Sequence, residues 1–221
     1  MMWDWAFAWE ILPKLARGFV VTMQATFGGF AIAAVLGLIW ALMRRSRVRA
    51  VSAVAGGIVE FVRSTPLLVQ LFFLYYALPD FGLRMSALTT GVLGLGLHYS
   101  AYLAEIYRAG IDGVSKGQWE AAFSLNFSRA QTWMLVILPQ AIPPIIPALG
   151  NRLIALFKET PLLAAITVME VLLTAREVGD THFSYLEPYT AVGVFFLIAS
   201  IVSNVFVRAL EKRYGSVAAS A

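Results

Sequence analysis

The stretch from Gly18 to Met43, GFVVTMQATFGGFAIAAVLGLIWALM, contains 26 consecutive residues without a charge. A helix needs about 20 apolar residues to cross the hydrocarbon core of a bilayer, so this stretch is long enough to span one. The rest of the 221-residue chain has the same character, because 59% of its residues are hydrophobic and 14% are charged. Soluble domains carry about a quarter charged residues. The sequence therefore predicts an all-α integral membrane protein.

Hydrophobic regions of spanning length recur along the chain. The predicted spans number about five and lie at about 18–43, 51–79, 85–107, 134–174 and 188–208. The second is interrupted by Glu60 and Arg63, and the fourth is broken by several prolines. Ionisable residues inside a span are expected to face protein or a water-filled cavity. Together 18–208 form one transmembrane domain, which leaves 1–17 as an N-terminal segment and 209–221 as a tail, with no cleaved signal peptide expected.

The distribution of lysine and arginine predicts the orientation. Of the 17 basic residues, four lie in the segments before span one and after spans two and four, and three lie within hydrophobic regions. The other ten follow spans one, three and five: Arg44, Arg45, Arg47, Arg49, Arg108, Lys116, Arg129, Arg208, Lys212 and Arg213. Because positive residues accumulate on the cytoplasmic side, we expect the N-terminus outside the cell and the C-terminus in the cytoplasm.

Motifs of enzymes and of metal sites are missing from the sequence. There is no cysteine, no P-loop, no H-E-x-x-H and no G-x-S-x-G, so we expect no catalytic residue, metal or bound cofactor on this chain. His98 lies alone among apolar residues, which favours a packed, hydrogen-bonded histidine. The basic residues sit at the ends of apolar runs rather than in one stripe, which argues against a nucleic-acid partner.

The polar connection at 110–133 contains a predicted short helix around 118–125. Within it and just beyond, Glu120-Ala121-Ala122 is followed after three residues by Asn126, and after nine more by Val136, one residue and Leu138-Pro139. Small alanines beside an acid let a helix approach another surface closely. Asn tolerates the left-handed conformation better than other non-glycine residues, so a turn is expected at Asn126. An ordinary surface helix that joins two spans is the alternative.

This pattern resembles the EAA loop of bacterial ABC importer permeases, in which Gly normally occupies the position of Asn126 and Ile often that of Val136. Three further segments resemble polar amino-acid permeases of the same family, at 61–71, 100–111 and 158–162. The resemblance implies the MetI-like fold of type I importers and an assembly of two permeases with two ATPases. The residues implied to couple to the ATPase are Glu120, Ala121, Ala122, Asn126, Leu138 and Pro139.

The resemblance also implies the partners and the solute class. ATP and Mg would bind to a cytoplasmic ATP-binding subunit, and an extracytoplasmic binding protein would deliver the solute. The second permease is another copy or a sister chain, which one sequence leaves open. The residues at 97–102, at Asn126 and at 158–161 are most similar to those of ectoine and hydroxyectoine permeases. A polar amino acid is the alternative solute.

Charged residues inside the broken fourth region suggest a translocation path. A charge at mid-helix costs about 2.5 to 3.5 kcal/mol, so Lys158 and Glu159 need partners or water. A zwitterionic solute has a carboxylate and a cation that suit such residues. We hypothesise that Lys158, Glu159, Thr160 and Glu170 line the path. The alternative is that Lys158 and Glu159 form a structural pair that braces the permease dimer or closes its gate.

Two other pairs and one rival function complete the expectations. Glu60 with Arg63, and Glu105 with Arg108, are three residues apart, so each pair can meet on one helix face. A stand-alone secondary transporter or channel would also explain the spans and the intramembrane charges. It leaves the pattern from Glu120 to Pro139 unexplained, and no inverted repeat supports it. Uptake that collapses with an ionophore but ignores ATP depletion would favour this rival.

Overall fold

A computed structural model describes residues 3 to 218, and within that range the chain is helical with no strand. The prediction of an all-α protein is confirmed. Short π or 3₁₀ turns extend several helices, at Phe73–Ala77 and Leu78–Phe81 after α3, at Thr132–Ile137 between α6 and α7, and at Thr160–Ile166 after α7. The helices are α1 Trp5–Arg44, α2 Arg49–Ser64, α3 Leu67–Phe72, α4 Ala87–Asp112, α5 Lys116–Ser124, α6 Arg129–Gln131, α7 Leu138–Glu159, α8 Val171–His182 and α9 Leu186–Ala218.

Helix α1 is longer than the predicted first span. It begins after Asp4, whose Oδ1 accepts hydrogen bonds from the backbone N–H groups of Ala6 (2.8 Å) and Phe7 (3.1 Å). Its 40 residues extend about 60 Å at 1.5 Å per residue, roughly twice the hydrocarbon thickness of a bilayer. The predicted N-terminal segment 1–17 is therefore largely a continuation of this helix, with Pro13 inside it.

A seam of small residues joins α1 to α4. The buried face of α1 repeats small side chains every three or four residues, from Gly18 to Ala41. Gly18 and Thr22 meet α8, whereas Gly29 and Gly37 meet α4. At Gly37 the approach is so close that an added Cβ would lie 2.8 Å from Leu103 Cβ and 2.9 Å from the Ser100 carbonyl oxygen. Small residues allow helices in membranes to pack with their backbones near each other. The central position of α4 follows from this seam.

The predicted second span bends sharply in the structure. Helix α2 and the segment Leu67–Phe81 meet at an angle of 103°. The break falls at Thr65-Pro66, where Thr65 is extended (φ −108°, ψ 137°). A residue before proline avoids the helical conformation, and proline has no N–H to donate to the preceding turn. The region 51–79 is thus two helices at an angle rather than one straight span.

Three helices in the described residues are long and apolar enough to cross a membrane, and the bent pair would make a fourth. The three are Trp5–Arg44, Arg129–Ile166 and Leu186–Tyr214. Helix α4, which contains most of the predicted third span, is not among them because threonine, glycine, histidine and tyrosine dilute its apolar residues. Nearly half of its residues are buried by other helices. The count of five spans and the orientation stay predictions.

The helices enclose two main apolar clusters. The larger lies where α1, α3, α4, α7 and the turn Thr160–Ile166 meet, and contains Leu71, Leu95, Leu103, Leu156 and Leu163. The second joins the N-terminal third of α1 to α8 and α9. Helix α8, which the sequence did not predict, closes this end of the molecule and begins after the left-handed Thr167 (φ 64°). The first cluster packs the bundle around α4, and the second packs α8 and α9 against α1.

Two sequence expectations about polar side chains have different outcomes. His98 is buried, and its Nδ1 lies 3.2 Å from Gln70 Oε1, which confirms a packed, hydrogen-bonded histidine. The expected pair of Glu60 and Arg63 is wrong, because Arg63 Nη1 lies 3.3 Å from Glu105 Oε1 instead. Glu60 accepts a hydrogen bond from Ser64 Oγ at 3.4 Å. The long arginine side chain reaches a neighbouring helix rather than its own.

Candidate functional site

The connection between α4 and α7 folds into a helical hairpin, which we call the α5–α6 hairpin and define as Lys116–Gln131. Helix α5 ends in a Schellman turn: Asn126 N–H donates to the Phe123 carbonyl (2.9 Å) and Phe127 N–H to the Ala122 carbonyl (3.1 Å). Asn126 has φ +56°, the left-handed conformation that the sequence predicts there. The hairpin therefore has a defined shape rather than that of a loose loop.

The return arm of the hairpin starts with a capping box. Ser128 Oγ accepts from the Gln131 N–H (3.3 Å), and Gln131 Oε1 accepts from the Ser128 N–H (2.9 Å). This reciprocal pair satisfies two N–H groups at the start of a helix. The arm then runs through the π turn Thr132–Ile137 directly into α7, so a displacement of the hairpin would be transmitted to that helix.

One side of the hairpin is anchored to the helices above it. Ala122 is buried, and the Trp119 and Trp133 rings meet edge to face with centroids 5.4 Å apart. Gln140 Nε2 donates to Gln118 Oε1 at 3.2 Å. These contacts fix α5 to the start of α7. A small apolar cluster continues beneath them: Ile111, Val114, Ile137, Ala141 and Ile145.

The other side of the hairpin is exposed and unusually apolar. Phe123 is 83% exposed and Leu125 is 68% exposed. Glu120 and Ala121 are exposed beside them. An exposed apolar patch with a polar edge is typical of a surface that another protein covers. The structure thus separates the predicted coupling residues: Glu120, Ala121 and Asn126 are accessible, whereas Ala122 anchors the helix from inside.

Leu138 and Pro139 lie away from this exposed patch. They begin α7, directly after the π turn Thr132–Ile137. Proline is tolerated in the first turn of a helix because its missing N–H would have no partner there. Their position is therefore at the junction through which the α5–α6 hairpin connects to the long helix, not on its outer surface.

An ionic cluster lies where α1, α2 and α4 end. Glu105 contacts three arginines, with distances of 2.5 Å to Arg44, 3.3 Å to Arg63 and 2.9 Å to Arg108. The predicted pair of Glu105 and Arg108 is thereby confirmed. Asp112 at the end of α4 contacts Arg108 at 3.0 Å and also contacts Arg45. The cluster ties the ends of three helices together, and its α4 members, Glu105, Arg108 and Asp112, lie in the last two turns before the connection to α5.

The predicted path residues lie at the end of α7. Lys158 is exposed, and it makes no ion pair with Glu159 among the residues that the structure describes. Glu159 has one buried carboxylate oxygen, Oε2, with no hydrogen-bond partner in the described part of the chain. The Tyr99 side chain of α4 is its neighbour. Thr160 is fully buried and donates to the Phe157 carbonyl at 2.7 Å.

Glu170 is placed differently from the other three. It is fully buried, and its two carboxylate oxygens accept hydrogen bonds from the backbone N–H groups of Leu172 (3.0 Å) and Leu173 (2.7 Å). This is the arrangement of an N-terminal helix cap, which satisfies orphan N–H groups of α8. Lys158, Glu159 and Thr160 are thus consecutive at the end of α7 and differ in burial, whereas Glu170 has a capping position.

Several residues around this region had no signal in the sequence. The Tyr75 hydroxyl lies 3.0 Å from Thr167 Oγ1, and the Tyr76 hydroxyl donates to the Ala165 carbonyl at 3.2 Å. Arg152 lies over the Tyr102 ring, with its Cζ 5.0 Å from the ring centroid. These contacts join residues far apart in the chain, so no local spacing could reveal them. Among residues 3 to 214 there is no cluster of side chains that could hold a metal ion.

A protein-family model described as "Binding-protein-dependent transport system inner membrane component" matches residues 33–216, which is most of the chain. The chain belongs to this family. The matched residues include the α5–α6 hairpin, the ionic cluster and the end of α7. The chain is therefore a permease subunit of the inner membrane with several crossings, and it is not an enzyme, because ATP hydrolysis in such transporters belongs to a separate subunit.

Curated relatives of this permease cover nearly its full length. It is 49% identical over 206 residues to a probable amino-acid ABC transporter permease protein, y4tG, of Sinorhizobium fredii, covering 93% of this chain and 89% of the relative. It is 35% identical over 215 residues to the glutamine transport system permease protein GlnP of Escherichia coli, covering 96% of this chain and 98% of that one. It is 35% identical over 217 residues to the L-cystine transport system permease protein TcyB of Bacillus subtilis, covering 94% and 93%.

Solved structures establish the fold of this permease. A chain of an amino acid ABC transporter crystallised with histidines superposes with a TM-score of 0.91 at 36% identity, covering 96% of this chain and all of that one. A chain of the MetNI methionine ABC transporter in an inward-facing conformation superposes with a TM-score of 0.64 at 16% identity, covering 94% and 99%. The predicted MetI-like fold of a type I importer is confirmed.

Proposed function

We propose that this permease, together with a second permease chain, forms the translocation path for polar amino acids or amino-acid-like zwitterions, and that a separate ATPase drives it through the α5–α6 hairpin. The observation that carries the proposal is the shape of the hairpin. It presents Glu120, Phe123 and Leu125 outward on a helix whose inner side is anchored by Ala122 and Trp119. ATP and Mg would be bound by the partner subunit and not by this chain.

The connections of the hairpin support a mechanical role. Helix α5 follows α4 after only Gly113, Val114 and Ser115, and the return arm leads without a break into α7. Tyr99 in the middle of α4 and Glu159 at the last position of α7 are neighbours. A partner that pulls on the exposed side of the hairpin would therefore move both helices at once, and with them the proposed path.

The chemistry near the end of α7 suits a zwitterion. The unpartnered oxygen of Glu159 is an acceptor for an ammonium group, and a buried carboxylate oxygen without a partner is costly. Lys158 is a cation suited to a carboxylate. We propose that these two residues and Thr160 line the path, with Glu170 placing α8 beside them. The curated relatives above are named for amino acids, glutamine and cystine, which supports an amino-acid solute.

The charges on α7 support the proposal of a second permease chain. Lys158 and Arg152 are exposed on a helix long and apolar enough to cross the membrane. Charged residues at membrane depth face protein or a water-filled cavity, because exposure to lipid is costly. A second copy or a sister permease across the path would supply both the protein surface and the water-filled cavity that these charges need.

Uptake into proteoliposomes tests the function and the solute together. The complete transporter, with its ATP-binding subunit and binding protein, is assayed with labelled glutamine, cystine and ectoine, with ATP or with an ionophore present. We expect uptake of an amino acid that requires internal ATP and survives the ionophore. Ectoine is the narrower prediction, and uptake of ectoine in preference to the amino acids would establish it. Uptake that ignores ATP and collapses with the ionophore would replace the proposal by a secondary transporter.

A further inference from the structure

Helix α2 buries one narrow face against the bundle. Ala55, Val59 and Val62 are buried, and Val59 and Val62 pack against Ala101 and Ala104 of α4. These three positions are four and three residues apart, so they share one side of the helix at 100° per residue. The rest of the helix circumference is left to other surroundings.

The remaining two-thirds of α2 divides into an apolar face and a polar face. Val54 is 57% exposed and Phe61 is 68% exposed. Viewed along the helix axis, these two residues lie to one side of the buried face, and Glu60 and Arg63 lie to the other side. Ser52 and Arg49 share the polar face. At 100° per residue the buried, apolar and polar faces are about 120° apart. A helix with these three faces is suited to contact protein with one face, an apolar phase with the second and water with the third.

The direction of α2 matches this division. It makes an angle of 103° with the segment Leu67–Phe81, which continues toward α4. Spanning segments tilt on average only about 20° from the bilayer normal, so if Leu67–Phe81 crosses the bilayer, α2 lies close to the membrane plane. Helices that lie in the interface have an apolar side in the acyl chains and a charged side in water.

A cluster of arginines lies at the start of α2. Arg44 and Arg45 are occupied by Glu105 and Asp112. Arg47 and Arg49 are exposed and have no acidic partner among residues 3 to 214. Around this corner six arginines meet three acids, which leaves an excess of positive charge: Arg44, Arg45, Arg47, Arg49, Arg63 and Arg108 against Glu60, Glu105 and Asp112.

We propose that α2 is an interfacial helix, with Val54 and Phe61 inserted among acyl chains, and that Arg47 and Arg49 bind the phosphate groups of anionic phospholipids. The guanidinium group matches the geometry of a phosphate with two parallel hydrogen bonds. Basic clusters next to a spanning helix attract anionic lipid by about 1 kcal/mol per residue. The proposal depends on the membrane location of the chain and not on its solute or its ATPase.

The absence of cysteine permits a clean test of the depth of α2. Single variants Val54→Cys, Phe61→Cys and Glu60→Cys of the full chain, in nanodiscs with its co-purified subunits, are labelled with a nitroxide. Collision with oxygen reports lipid, and collision with a water-soluble nickel complex reports water. We expect oxygen to dominate at 54 and 61 and nickel at 60. Exclusion of both reagents at 54 and 61 would mean a protein partner, and nickel dominance there would mean water; either overturns the interfacial helix.

Lipid binding is tested separately. Phosphatidylglycerol is titrated against a phosphatidylcholine background, and its retention on the full chain is measured by native mass spectrometry. We expect the variant Arg47→Gln with Arg49→Gln to bind phosphatidylglycerol at least about tenfold more weakly. The control, Arg17→Gln with Arg84→Gln, removes the same charge from exposed positions elsewhere and should stay within about twofold. An unchanged affinity in the first variant, or an equal loss in the control, overturns the headgroup site.

Discussion

At the scale of single residues, Asn126 decides the shape of the α5–α6 hairpin. Its left-handed conformation was predictable because asparagine tolerates positive φ, and the Schellman turn around it follows from local geometry alone. The partners of Arg63 and Glu170 were not predictable in this way. Arg63 contacts a helix 42 residues away, and Glu170 caps a helix whose existence the sequence did not indicate. The partner of a side chain can be predicted from residue spacing when it is close in the chain. When the partner is distant in the chain, it can be identified only from the folded structure.

Substitution of Asn126 tests the turn. Asn126→Gly should leave stability unchanged or raise it slightly, because glycine adopts positive φ without a steric penalty. Asn126→Val should lower stability by about 1 to 2 kcal/mol, since a β-branched side chain is strained in that conformation. Thermal unfolding of the purified chain in detergent measures both. Equal stability of the two variants would contradict the left-handed turn.

Substitution of Glu170 separates a cap from a path residue. Glu170→Ala removes both hydrogen bonds to α8 and should lower stability by about 0.5 to 2 kcal/mol. If its role is only to place α8, the KM for the solute should change little in the folded fraction of the variant. Thermal unfolding and initial uptake rates give the two values, with exposed Glu177→Ala as the control. A large rise in KM without loss of stability would return Glu170 to the path.

At the scale of helices, the sequence predicts the apolar runs well and their geometry poorly. Runs such as 18–43 and 188–208 lie inside α1 and α9, because length and hydropathy are local properties. The 103° bend at Thr65-Pro66 has a local cause in the proline, but one proline in an apolar run is compatible with a kink as well as with a corner. Helix α8 was missed because its apolar residues are interrupted by charges, and the Glu170 cap and packing against α1 and α9 stabilise it.

The seam between α1 and α4 gives the sharpest prediction at this scale. Gly37→Ala would place a Cβ within 2.9 Å of the Ser100 carbonyl, and backbone at that distance cannot move aside cheaply. We expect a loss of about 1 to 3 kcal/mol in stability, as for overpacking of a core. Gly57→Ala on α2 is the matched control, because its Cβ would meet nothing within 4 Å. The control should be neutral or stabilising by up to about 1 kcal/mol. Thermal unfolding with a loss of similar size in both variants would contradict the seam.

At the scale of the whole molecule, α4 connects the ionic cluster to the hairpin. Glu105 holds arginines from α1, α2 and α4, and α4 leads into α5 after three residues. Neither the cluster nor the neighbours of Glu159 could be predicted from spacing, because each brings together residues from several helices. The hairpin itself could, because its residues are close in the chain. The sequence therefore predicted the shape of the hairpin more fully than the contacts around Glu105 and Glu159.

Neutralising Glu105, the centre of the cluster, tests whether the cluster couples ATP hydrolysis to transport. Glu105→Gln leaves three arginines without their shared carboxylate and should loosen the tie between helix ends. We expect ATP hydrolysis by the complete transporter to continue while solute transported per ATP falls several-fold, a ratio that a loss of folded protein alone would not change. Parallel measurements of ATPase rate and uptake in proteoliposomes give the ratio. An unchanged ratio would remove the cluster from the mechanism.

The most direct measurement for the central claim is co-purification of this permease with its ATP-binding subunit, wild type beside Glu120→Arg. Glu120 is exposed on the outer side of α5, so the substitution should leave the fold intact and reverse the charge of the proposed contact. The control is Glu177→Arg, an exposed glutamate on α8 at a different part of the molecule. We predict that the wild type and the control retain the ATPase in constant ratio and that Glu120→Arg loses most of it. Full retention of the ATPase by Glu120→Arg, or purification of the wild type alone with ATP-independent transport, would contradict the account.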